Sequence, residues 1–382
     1  LPREYTHLEK LANIEWINII TSQVVPQRGF LLGFPAAVLV YLLLWRYWNQ
    51  RQSKNLLAAG LLTAMLPLIH AHSVAVIGVV SVILFGLELI QAKKKVLVVK
   101  NWLKFFLPIG LLGLPQMMYF YSGSLTTGSF IHWLPGWLSI KRGDSIYWFW
   151  VKNLGLMVIW ILLGLKAATK KLRWFSFPFW LVFLAANFWL FQPWEWDNTK
   201  FFVHWYLIAC VLGAQVLIRG LSDKRKLVQG LTLIGLIITI WAGALDAWRL
   251  TQYQYRKIRF WDNTQLKLAS WVRQNTPPEA VFLTADNHDH WLPTISGRKT
   301  VLGFKGWLWT YGIDYSNQEE AVRDMFDGKK LSKDKLKEYG VNYIVVGPAE
   351  RDLQPAVNED FFDLNYPVVY QLENTKIYSV TD

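Results

Sequence analysis

Three observations predict a polytopic α-helical membrane bundle of about eight transmembrane helices followed by a small extracytoplasmic α/β domain. These are apolar runs long enough to cross a bilayer, connecting loops that alternate between basic and non-basic, and a charge-balanced tail. The apolar runs lie at 30–46, 55–70, 74–91, 103–120, 147–165, 174–191, 202–218 and 228–246. One set of connections carries Arg46, Arg51 and Lys54, then Lys93, Lys94, Lys95, Lys100 and Lys104, then Lys166, Lys170, Lys171 and Arg173, then Arg219, Lys224, Arg225 and Lys226. The alternate set has no basic residue at 70–73, Lys141 and Arg142 within 121–146, and only Lys200 within 192–201. Basic loops stay on the cytoplasmic side, so the second set is expected outside. The expected division is an outer N-terminal segment at 1–29, a bundle at 30–246 and an outer domain at 247–382. Trp133, Trp137, Trp148, Trp150, Trp194 and Trp196 fall at predicted outer span ends, where an interfacial belt anchors a bundle or stacks on sugar rings or lipid.

The tail alternates helix and strand signals. NTQLKLASWVRQN (263–275) has apolar residues at helical spacing and stops before Pro277 and Pro278. AVFLTA (280–285) and KTVLG (299–303) read as short strands, and 317–327 and 332–339 as helices, the second ending at Gly340. VNYIVVG (341–347) is the clearest buried strand, with PVVYQL and KIYSV as a closing pair. This alternation predicts a small α/β domain packed against the membrane face.

The charge follows the same division. Residues 1–250 hold 24 Lys and Arg against 9 Asp and Glu, whereas residues 251–382 hold 16 against 18. A basic excess confined to short clusters between apolar runs is a topology signal, which argues against nucleic acid as a partner. The single cysteine, Cys210, lies in an apolar run, so no intrachain disulfide can form and the outer domain depends on its own core. The sequence contains no P-loop, GxSxG elbow, HExxH or CxxC pair, and GFKGWLWTYG (303–312) spaces its glycines wrongly for a dinucleotide loop.

Polar residues at predicted outer span ends are the candidate site. In QPWEWDNTKFF (192–202), Asp197 and Lys200 either pair and pin a tight turn, or Lys200 faces a lipid phosphate while Asp197 or Asn198 orients a sugar or Lys200 itself. Arg28, in VVPQRGF (24–30), is an outer basic residue that snorkels to headgroups or makes a second phosphate contact. His70 and His72, in PLIHAHS (67–73), are spaced to hydrogen-bond within the bundle, touch substrate or share a metal, but no neighbouring carboxylate or thiol completes a metal site. In the tail, ADNHDHWLP (285–293) collects His288 and His290, with Arg298 following. They form either a solvated loop or one that closes over a membrane-face cavity.

PQRGF, PLIHAHS, QPWEWDNTKFF, WVRQNTPPEAVFLTA, SGRKTVLGFKGWLW and YGVNYIVVG together resemble the GT-C superfamily of polyprenyl-phosphate-sugar-dependent membrane glycosyltransferases. The resemblance implies transfer of a sugar from a lipid-linked phosphate donor to an acceptor on the outer face, with membrane lipid and a polyprenyl-phosphate-linked sugar as partners. Arg28 and Lys200 would stabilise the departing phosphate; no cofactor is assigned, a divalent metal being the other way to neutralise that charge. The superfamily's usual catalytic carboxylate lies in the first outer loop, and Glu4, Glu9 and Glu15 do not sit in a matching context. No catalytic base is therefore assigned, and because the sequence starts at Leu1 rather than Met, missing upstream spans are expected to carry it. A non-catalytic subunit bound to partner membrane subunits, built on the same scaffold, is the alternative. A transporter is disfavoured by the scarcity of ionisable residues inside the runs.

Overall fold

The computed structural model describes residues 12–16, 18–121, 131–192, 194–252, 259–310, 313–353 and 357–380. They divide into two compact units, one ending at residue 252 and one starting at residue 259.

The first unit is helical: α1 (Arg28–Gln50), α2 (Lys54–Ala64), α3 (Ala71–Gln91), α4 (Lys95–Tyr119), α5 (Ile146–Leu154), α6 (Met157–Ala167), α7 (Lys170–Phe188), α8 (Thr199–Leu221) and α9 (Lys226–Arg249). Among the described residues five helices are long and apolar enough to cross a membrane, namely α1, α3, α4, α8 with the turn before it, and α9. Counting α5 and α6 as one bent span makes six. The expected count of eight is therefore too high, and each shortfall has a local cause. The run at 55–70 forms only the 11-residue α2, about 16 Å long at 1.5 Å per residue, against a hydrocarbon core of about 30 Å. The chain after α2 ends beside the first turn of α1, where a Cβ on Gly29 would come 2.5 Å from the Ile69 carbonyl oxygen. The run at 147–165 breaks at Gly155, whose φ of +53° suits glycine, and α5 and α6 meet at 98°. Helix α7 opens with Lys170, Lys171 and Arg173, and these charges with Ser176 and Asn187 leave it short of a membrane span in composition.

The bundle core is aromatic. Trp102, Trp137, Trp205, Tyr47, Phe105, Phe149, Phe179 and Phe202 are fully buried. Trp137 and Trp150, expected in an interfacial belt, are core residues instead. Their rings lie 6.0 Å apart, Trp137 Nε1 donates to the Glu195 carbonyl at 2.7 Å, and Trp150 Nε1 donates to Asn187 Oδ1 at 2.7 Å. A buried indole N–H favours such an acceptor, and these two find theirs at packed helix ends. Trp133, Trp148 and Trp194 are more than half exposed. Helix α9 turns Leu227, Leu231, Ile234, Ile238 and Trp241 outward, an apolar face suited to lipid. At the opposite end of α3 from His70, buried Glu88 accepts from Tyr47 Oη (3.0 Å) and Trp102 Nε1 (2.9 Å) and pairs with Arg51 at 2.6 Å.

The second unit is α/β. Helix α10 (Asn263–Asn275) starts at a capping box in which Asp262 and Gln265 satisfy each other's backbone N–H, and it ends just before Pro277. The strands are β3 (Val281–Leu283), β4 (Lys299–Thr300), β5 (Val341–Val346), β6 (Val368–Leu372) and β7 (Thr375–Ser379), numbered after the short pair β1 (His132–Trp133) and β2 (Trp189–Leu190) of the first unit. The sheet order is β4-β3-β5-β7-β6, with β3 parallel to β4 and β5, and β7 antiparallel to β5 and β6. Helices α11 (Lys305–Thr310), α12 (Ser316–Asp327) and α13 (Lys330–Glu338) connect β4 to β5. Two apolar cores flank the sheet, one around Phe326, Ile344 and Phe362, the other around Phe282, Leu292 and Val345. β5 is buried along most of its length because it is the central strand.

Candidate functional site

The start of α8 is fixed by Asn198. Its side chain is 1% exposed, its Nδ2 donates to the carbonyls of Ala186 (2.9 Å) and Trp189 (2.8 Å), and its Oδ1 accepts from the Phe191 N–H at 3.3 Å. The amide is thus committed to holding the turn between α7 and α8, with no donor left for a ligand. The turn aims the next two polar groups. Lys200 Nζ pairs with Asp197 Oδ1 at 3.1 Å, an i,i+3 contact with both side chains mostly buried. One helical turn on from Lys200, on the same face, is His204.

His70 stands at the N-cap position of α3 at 7% exposure and is seated against α1 by two glycines. A Cβ on Gly33 would stand 2.2 Å from His70 Cβ, so only glycine admits the ring so close to the helix backbone. His70 Nδ1 and Ser73 Oγ are 2.7 Å apart, Ser73 Oγ and His204 Nε2 3.3 Å, and His204 Nδ1 and the Tyr41 hydroxyl 3.0 Å. Among the described residues His70 Nε2 is buried with no hydrogen-bond partner. The His72 ring centroid is 5.2 Å from that of His70 and 5.8 Å from that of Phe201; Gln192 hydrogen-bonds His72, and Lys200 and Asp197 act on it through their charges. Lys200 acts on His70 in the same way.

Of the residues singled out in the sequence of this unit, His70, His72, Asp197 and Lys200 thus meet at one end of the bundle. Asn198 adjoins them but faces inward. Arg28 is exposed at the first position of α1, one residue from the contact between Gly29 and the Ile69–His70 backbone, with no hydrogen bond or ion pair among the described residues. Sequence reasoning missed Tyr41, Ser73 and His204. The available signal was the spacing Lys200–His204, which places a second polar group on one helix face within an otherwise apolar run.

Other carboxylates of this unit are held in ion pairs. Glu15, 1% exposed, pairs with Arg142; Asp144 pairs with Lys152 (2.6 Å) and accepts from Asn13 (2.8 Å); Glu195 pairs with Lys141 at 2.6 Å. The Lys152 contact holds the Asp144 carboxyl below its ordinary range. Glu4 and Glu9 lie outside the described residues. A small pocket beside the turn is lined by Trp16, Ile19, Ser22, Gln23, Thr199 and Val203, where Gln23 Nε2 donates to Thr199 Oγ1 at 3.0 Å.

In the second unit the histidine loop separates into different roles. His290 is buried, and Glu350 Oε1 takes the hydrogen bond from its Nε2 at 2.9 Å. Arg298 spends its guanidinium on Thr276 Oγ1 and on the carbonyls of Ser296, Arg273 and Thr276. His288 is exposed, edge-on to Phe304 and Trp307 at 4.9 Å each. Among the described residues no three His, Cys, Asp or Glu side chains are grouped so as to hold a metal ion.

No protein-family model matches the chain, and no curated protein sequence matches it. Among solved structures, the oligosaccharyltransferase of Archaeoglobus fulgidus, crystallised with a tethered acceptor peptide containing an NVT sequon, is similar at a TM-score of 0.49 and 11% identity. The match covers 93% of this chain and 56% of that one, so the chain spans little more than half the length of that protein.

Proposed function

We propose that this chain is a membrane glycosyltransferase of GT-C type that takes a sugar from a lipid-linked phosphate donor at the end of the bundle formed by Arg28, His70, His72 and Lys200. The observation that carries the reading is the convergence of Lys200 with two histidines at the end of an apolar bundle. An ammonium there neutralises phosphate at short range, and flanking imidazoles offer further donors. The polyprenyl tail would lie along the outward apolar side chains. Its headgroup would reach the outer face. The Asp197 carboxylate holds Lys200 in place until phosphate competes for it.

Lys200→Ala and Asp197→Asn together test this. With the full chain in lipid nanodiscs and a fluorescent polyprenyl phosphate as probe, Lys200→Ala is expected to weaken binding at least tenfold, while Asp197→Asn, which frees the ammonium, retains or tightens it. If the pair only pins the turn, both variants lose stability and neither changes affinity. One observation favours the second reading, a non-catalytic subunit working with partner membrane subunits: Glu15, Asp144, Glu195 and Asp197 all stand in ion pairs. Sugar transfer by the purified chain would exclude that reading.

A further inference from the structure

The chain Tyr41–His204–Ser73–His70 crosses α1, α8 and α3, and its four residues are at most 7% exposed. Its direction follows from counting hydrogens. Among the described residues, the Tyr41 hydroxyl has His204 Nδ1 as its one partner. If Tyr41 donates, His204 carries its hydrogen on Nε2 and donates to Ser73 Oγ, and Ser73 donates to His70 Nδ1. His70 then carries its own hydrogen on Nε2, and one buried group stays unmet. The reverse direction leaves two, the phenolic hydrogen of Tyr41 and the lone pair of His70 Nε2. Because buried polar groups are rarely left unpaired, the first direction is preferred. It ends in an N–H donor, buried and without an acceptor, beside Lys200 and the ring of His72.

We propose that Tyr41, His204 and Ser73 are positioning residues that lock His70 as an Nε2–H donor, and that this donor binds an anionic phosphate oxygen whose charge Lys200 neutralises. The proposal deepens the phosphate-site reading above and rests on it. An imidazole held in one tautomer by a hydrogen-bond chain gives a directed contact without carrying a charge into the bundle, and the ammonium supplies the electrostatics. Gly33 sets the distance, since it admits the ring against α1.

The experiment uses the full chain in nanodiscs with 15N-labelled histidine, a polyprenyl monophosphate and inorganic phosphate as separate probes, and thermal melting as a folding control. The wild type is expected to show His70 protonated at Nε2 and bare at Nδ1, assigned by its loss in His70→Gln, with the Nε2 resonance moving when either phosphate binds. Binding of the lipid probe alone would place the tail in the recognition; equal binding of both would place it in the headgroup. Tyr41→Phe and Ser73→Ala should scramble the His70 tautomer and weaken phosphate binding about tenfold. His70→Gln, whose amide N–H reaches the Nε2 position, should hold affinity within about threefold, and the shorter His70→Asn should lose at least tenfold. A wild-type His70 bare at Nε2, or unchanged tautomer and affinity in folded Tyr41→Phe, overturns the relay even where Lys200→Ala abolishes binding. Failure of the wild type to bind either phosphate overturns the phosphate site itself.

Discussion

Removing the Glu350 carboxylate should unfold the sheet of the second unit locally, although the residue stands in no part of the proposed site. The side chain is 1% exposed and accepts three hydrogen bonds of 2.9 Å each, from the N–H groups of Ala285 and Gly347 and from His290 Nε2. His290 Nδ1 accepts the Leu292 N–H at 3.2 Å, so the imidazole hydrogen belongs on Nε2, facing the carboxylate. Glu350→Ala leaves those three donors buried without an acceptor, and breaking a buried charged network of this kind costs about 3–5 kcal/mol. Glu350→Gln keeps one acceptor oxygen but turns an amide N–H toward a donor, so it should cost less, about 1–3 kcal/mol. Amide hydrogen exchange over β3 and β5 in the full chain reads this directly: at about 1.4 kcal/mol per tenfold, Glu350→Ala should speed exchange at least a hundredfold. Burial alone would raise the Glu350 pKa. The His290 hydrogen bond and the two backbone N–H groups outweigh it and hold the carboxyl below its ordinary value. The carboxylate's contribution is therefore complete above the unfolded value, about pH 4.3, and is lost as pH falls through the lower folded value. The gap between wild type and Glu350→Gln should be constant near neutrality and close only in strong acid. Exchange in Glu350→Ala within about fivefold of wild type would refute the argument.

Two further outcomes follow from packing. Gly33→Ala should displace His70 and lower both melting temperature and phosphate affinity, because its Cβ would fall 2.2 Å from His70 Cβ. Gly78→Ala, which meets nothing within 4 Å, should leave both unchanged, as thermal melting and probe titration in nanodiscs can compare. Asn198→Ala should lower stability by about 2–4 kcal/mol, since it strands the Ala186 and Trp189 carbonyls and the Phe191 N–H. Phosphate binding by its still-folded fraction should persist, because the amide faces away from Lys200.

The sequence by itself determined the helical membrane character, the α/β character of the tail and most of its elements. These depend on local period and composition: VNYIVV reads as a central strand wherever it lands, and the basic clusters mark loop ends whatever the helices between them do. It also offered the Asp197–Lys200 pair as one alternative, since two opposite charges three residues apart in a tight turn are within reach of each other whatever the rest of the chain does. It overcounted the membrane helices because hydropathy sums side chains and is blind to a backbone break such as Gly155 or to a helix that stops at Ala64. The tertiary structure alone decided which distant segments meet. Ser73 and His204 are 131 residues apart, and nothing local to either says that they touch. The same holds for Asn198, whose amide resembles a ligand group in sequence until the carbonyls of Ala186 and Trp189 claim it, and for DNHDH, where His290 turns inward to Glu350 while His288 stays exposed. A side chain's role follows from its partners, and partners far along the chain are chosen by packing, which no short window of sequence records.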